Sequence, residues 1–263
     1  MAIRTITSGA TTLGTITADD DIIFEGGSAA VITSLDHSAL TGIDTVEVGP
    51  TFNGQIGSAS APFIAQVEEE FFYGASGGSC YFNSTDAGGA AATAKLLMPI
   101  GTGGSFYFVS AGTITKAEIS GGQFVVATAC VVTNLYVTNS AIVRVYDDTS
   151  TDPTLVQNHG GTIYLDRGAT TLTHIGGQTW VKGTASNNIT TLNVHGPGVH
   201  LEDVGTITKV NAWGGVPCTR NITKAVTITD CDINAALPTD QVETFLNNPR
   251  ITFTNPVVKY LGR

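Results

Sequence analysis

The chain repeats itself at a short interval, and that interval constrains its fold more than any other feature. An alternation of apolar residues, a Gly or other turn former, and a second alternation recur along it. They appear in "AEISGGQFVV" from Ala117, "LYVTNSAIVRV" from Leu135, "LVQNHGGTIYL" from Leu155 and "LTHIGGQTWV" from Leu172. They recur in "LNVHGPGVHL" from Leu192, "VNAWGGVPC" from Val210 and "VTITDCDI" from Val226. Those starting positions follow one another at a nearly even step. Thr-rich lead-ins precede several units, such as "GTIT" at 112–115 and 205–208 and "NNITT" at 187–191.

Strict alternation sends successive side chains to opposite faces of a strand. A unit of about 18 residues with two or three such strands is too short for a propeller blade or a helical repeat. It suits one coil of a parallel β-helix, in which coils stack about 4.8 Å apart and bury their inner faces only against each other. Gly, Asn and Asp supply the left-handed backbone that corners need. The Leu and Asn signature of a leucine-rich repeat is absent. The fold expected is therefore all-β, a parallel β-helix, with a β-sandwich as the alternative because spaced short strands also fit one.

Four regions follow. Residues 1–59 read as an N-terminal arm and first rungs, with alternating stretches such as "TTLGTITADDDIIFEGG". Residues 60–110 break the period and read as an aromatic- and Gly/Ala-rich insertion or second lobe. Residues 111–236 hold the regular rungs, and 237–263 a C-terminal cap. In that cap "LPTDQVETFLNNPR" predicts a short helix with Thr239 as N-cap and Pro249 beyond its end.

Charge and composition remove several functions. The net charge is −10, and the 12 Lys and Arg never cluster, which argues against binding nucleic-acid phosphates or an anionic membrane. No apolar run approaches the ~18 residues of a membrane span. "MAIRTITSGATTL" has no apolar core of a secretory leader, so synthesis in a reducing cytoplasm is expected. Cys80, Cys130, Cys218 and Cys231 form no metal-type pair and read as free thiols.

Catalytic chemistry finds little support. If Leu172 faces inward so does His174, and Gln157 and Val194 occupy the equivalent positions of the neighbouring units, so His174 reads as a satisfied interior residue. The acidic groups are Asp19–Asp21, Glu68–Glu70, Asp147–Asp148, Glu202–Asp203 and the pair Asp230 and Asp232 on one strand face. No Arg or Lys alternates with them as a glycan-cleaving groove would want. Asp19–Asp21 and Asp147–Asp152 are the loops best suited to weak calcium binding. "GTGGSF" lacks the Lys of a phosphate loop. We expect no catalytic residues, no cofactor and no resident metal. The aromatic runs carry more weight. Phe71, Phe72 and Tyr73, and Phe106, Tyr107 and Phe108, must alternate between core and outer face. All six are candidates for an interface between subunits, the alternative being that the insertion buries both faces within one chain.

The Thr/Gly-rich rungs "GTITKAEISGG" and "GTITKVNAWGG", the ending "NNPRITFTNPVVKYLGR" and the acidic, Lys-poor make-up together resemble a known family. That family is the small β-helical virion proteins of tailed bacteriophages, especially the capsid decoration, or cement, proteins. The resemblance covers about 110–250 well and the N-terminal half weakly. It implies a homotrimer seated on the phage shell against the major capsid protein, acting by surface contact. Segments 1–30 and 60–110 would then grip the capsid. A tail spike or fibre domain that binds or cleaves host surface glycan is the alternative. It would show stacked aromatics or paired carboxylates along the rungs.

Overall fold

A computed structural model describes residues 3–6, 19–26, 31–32, 42–84, 92–146, 151–183, 187–234, 236–255 and 259–260. The chain divides into two units, Met1–Leu135 with Ser140–Val143, and Tyr136–Asn139 with Arg144–Arg263. Both are β-solenoids of stacked coils, about ten coils in the two units together. The strands pair in parallel, which excludes the β-sandwich, a fold of antiparallel sheets.

In the first unit one interior column can be followed from coil to coil. Ile6 pairs with Phe24, Phe24 with Val48, Val48 with Tyr73, and Met98 with Ile119. A second column runs Ile22, Val46, Phe71, Leu96 and Ala117, every member fully buried. On another face Ile56, Cys80, Phe106 and Phe124 stack in turn. Phenylalanines fill the space between these faces. Phe71 meets Phe106 edge-to-face at 5.0 Å and Phe82 at 5.0 Å, and Phe106 reaches Phe124 at 6.0 Å. Such edge contacts add about 0.5–1.5 kcal/mol each beyond simple burial.

Residues 60–110 do not stand apart from this stack. Their strands Phe63–Ile64, Val67–Tyr73, Ser79–Ser84 and Ala92–Met98 pair in register with the coils before and after them. The coils are simply longer there. Phe71 to Leu96 and Leu96 to Ala117 each take more chain than Val156 to Leu172 or Leu192 to Val210. The extra length lies in connections, which a solenoid tolerates because only the strand segments must match.

The second unit carries the regular rungs. Val156, Leu172, Leu192, Val210 and Cys231 form its inner column. The register differs by one position from the spacing of leucines: Val156, rather than Leu155, opposes Leu172, and a register shift follows at Asn158/His159. His174 therefore stacks between Asn158 and Val194, and the column continues through Ala212 to Ile233. The position expected for Gln157 belongs to Asn158.

The predicted helix is present over Thr239–Leu246, but Pro238 occupies the N-cap and no side chain caps it. Thr239 is the first helical residue, and Pro238 just ahead of it is extended, with ψ at 126°. The coils do not stop at Asp232. Ile251–Phe253 pairs with Val226–Ile228, and Lys259–Tyr260 with Asp232–Ile233, so one more coil follows with the helix in its connection.

Candidate functional site

Strand alternation sorts the six aromatics singled out from the sequence. Phe71, Tyr73, Phe106 and Phe108 are fully buried, which removes them from any interface. Phe72 and Tyr107 point outward and are half-buried. Tyr107 stacks on Tyr81 at 4.6 Å with planes 10° apart. Phe72 lines a shallow hollow of about 320 Å³ with Thr45, Glu47 and Glu70.

Several acidic groups are held in ion pairs. Lys95 lies 2.8 Å from Glu70 and 3.2 Å from Glu118, and Lys116 is 2.6 Å from Glu118. These partners hold the Glu118 carboxyl below its usual pKa. Asp232 is 3.3 Å from Lys209, which also opposes Asp230 in the ladder, so this pair forms a surface charge row. Asp203 accepts hydrogen bonds from the Thr223 hydroxyl and from the backbone N–H of Thr223 and Lys224, which lower its pKa. Of the proposed calcium loops, Asp147 and Asp148 lie outside the described residues. Asp19 joins Asp44 and Glu68 instead, with one oxygen of each within 4.8 Å of the others.

The thiols are placed as expected. Cys80, Cys130 and Cys231 are buried and Cys218 half-buried, and none of the four is in a disulfide. Burial raises the Cys80 thiol well above its usual value and pushes Cys231 up to about 12, so neither is a nucleophile at neutral pH.

His174 is fully buried and fully bonded. Its Nε2 lies 2.8 Å from the Pro197 carbonyl, which can only accept, so the proton sits on Nε2. Nδ1 then accepts from the Thr179 hydroxyl at 2.9 Å, and that hydroxyl oxygen accepts from the Asn158 amide at 2.9 Å. Asn158 in turn accepts from the N–H groups of Gly160 and Gly161. The network holds a corner of the coil. It leaves His174 no free nitrogen for a substrate or metal.

The outer face of the second unit is different. Four consecutive coils read "IVRVY", "TIYLD", "QTWVK" and "GVHLE", and in each the residues flanking Arg144, Tyr164, Trp180 and His200 are buried. The outward residues therefore fall into one column, with Tyr164 opposite Trp180 and Trp180 opposite His200. A second column beside it runs Tyr146, Asp166, Lys182 and Glu202. Trp180 and His200 lie face to face at 3.9 Å, planes 8° apart. Arg144 lies over Tyr164 at 5.1 Å. Gln178 Oε1 is 2.8 Å from His200 Nε2. Burial lowers the His200 pKa, opposed by the nearby Glu202, so the ring on Trp180 is neutral at pH 7. Arg144, Tyr164, Asp166, Trp180, Lys182 and Glu202 enclose an open cavity of about 370 Å³. Composition did not single these residues out. The signal was the shared place of Tyr164, Trp180 and His200 just ahead of Asp166, Lys182 and Glu202 in successive units, legible only once the register is known.

No family model, curated protein or solved structure matches the chain. Among the described residues no helix is long and apolar enough to cross a membrane.

Proposed function

We propose that the chain is a structural protein of a tailed-bacteriophage particle, seated as a homotrimer on the capsid shell against the major capsid protein. It braces that shell by contact and catalyses nothing. The observation that carries this reading is that most of the described residues are built into paired coils. The interior is packed with Phe24, Phe63, Phe71, Phe82, Phe106 and Phe124, and backbone groups are satisfied rung by rung. A body of this kind presents wide surfaces that resist local opening, which suits clamping shell subunits under internal pressure. A trimer contacting several subunits would add avidity without new chemistry. Phe72 and the Tyr81–Tyr107 stack are the apolar outer groups offered to a neighbouring subunit.

The test is binding of purified protein to expanded capsids and to free capsid subunits, with its mass measured in solution. Binding to assembled shells alone, by a trimer, is expected. A monomer that ignores capsids sinks the reading. The second reading, a spike or fibre domain that handles surface glycan, is favoured by the Tyr164–Trp180–His200 column.

A further inference from the structure

The geometry points to a saccharide-binding site on the outer face of the second unit, built on Tyr164 and Trp180, with a neutral oligosaccharide as its ligand. The inference stands on that face alone and holds whether or not the chain decorates a capsid.

Tyr164 and Trp180 are ladder partners on adjacent coils and lie in one outward column. Each has one ring face already covered: Arg144, in the coil before, lies over Tyr164, and His200, in the coil after, lies on Trp180. Both rings line the open 370 Å³ cavity. That volume falls at the small end of the range for small-molecule sites, about 300–1,000 Å³. The covering groups also hold the rings in place, so binding need not order them.

A pyranose ring has just this mixed character. Its axial C–H faces are apolar and pack on an aromatic face, while its hydroxyls seek donors and acceptors around the rim. Asp166 and Glu202 supply acceptors there, and Lys182 and Arg144 donors. These four charges cancel, so the lining holds no excess that would select a phosphate or a carboxylate. Lys182 and Glu202 lie 3.9 Å apart at the exposed rim, where such a pair is weak and its atoms are free to bond a hydroxyl.

The experiment is a glycan array carrying neutral, sulfated and sialylated oligosaccharides, probed with the full chain. Neutral oligosaccharides should be retained. The best of them is then titrated into Trp213→Phe protein, in which Trp180 is the only tryptophan left. Its emission should shift on binding. Trp180→Ala and Tyr164→Ala should each weaken binding at least tenfold, whereas Trp180→Phe, which keeps an aromatic face and the fold, should weaken it only a few-fold. Capsid binding, measured in parallel, should be unchanged in all four variants, so failure of one proposal is told from failure of the other. The site is refuted if no neutral oligosaccharide is retained, if only sulfated or sialylated ones are, or if Trp180→Ala and Tyr164→Ala bind like the parent.

Discussion

At the scale of single residues, His174 shows how a buried polar group is kept. Thr179→Val would leave His174 Nδ1 without its donor in a fully buried site. That should cost about 1–3 kcal/mol, seen as a lower denaturant midpoint. Burial also lowers the His174 pKa, against a partial offset from the Pro197 carbonyl, and burial lowers that of His200. The folded chain thus takes up these protons less readily than the unfolded one. Their contribution is whole above the unfolded value of about 6.5 and is lost as pH falls through it toward the folded values. Denaturation midpoints should therefore drop between pH 7.5 and pH 5, and His174→Gln should reduce the drop. Asp203 and Glu118, with lowered pKa values, enter only nearer pH 4. The inward direction of His174 was legible from alternation with Leu172. Its neighbour was not. Aligning Leu155 with Leu172 misplaces the register by one, because Val156 is the true partner, and neither that nor the register shift at Asn158/His159 has a signature in the spacing of leucines.

At the scale of the coil, packing and corner geometry share the work. Phe106 touches Phe71, Tyr73, Phe82 and Phe124, so Phe106→Ala should cost about 3–5 kcal/mol in an unfolding titration. Gly177 holds φ at 82°, and a Cβ there would collide with the Gly161 carbonyl of the neighbouring coil. Gly177→Ala should lower the melting temperature measurably, whereas the same change at Gly101, which has open space around it, should cost less. The regular coils after residue 110 were legible because their period is short and near constant. Those over 60–110 were not, since the long coils ending at Val48 and Tyr73 share no constant interval with the short ones beyond Val156. The candidate saccharide face was hidden for a related reason. Tyr164, Trp180 and His200 differ in type and sit one coil apart, and nothing local marks them as neighbours until the register is known.

At the scale of the molecule, a solenoid's weakness is the edge of its last coil. Val226–Ile233 is covered by Ile251–Phe253 and Lys259–Tyr260, and the helix Thr239–Leu246 buries Val242 and Phe245, the latter meeting Phe253 edge-to-face at 5.9 Å. Removing 237–263 should uncover the Val226–Ile233 edge, and light scattering should then detect open-ended association beyond the size of the full chain's own assembly. The helix was legible from its pattern and flanking Pro249. The final coil was not, because "ITFT" is too short to carry an alternation.

The connection between Ile56 and Phe63 has a wider consequence. Gln55–Ile56 and Phe63–Ile64 both pair with the single strand Ser79–Ser84, so residues 57–62 leave the ladder and return to the same neighbour. Ser58 and Ala61 close that excursion with reciprocal backbone hydrogen bonds. Length added between them projects away from the ladder and leaves the pairing on either side untouched. Such a chain can acquire new surface segments over generations, or carry a grafted peptide in the laboratory, without renegotiating its core.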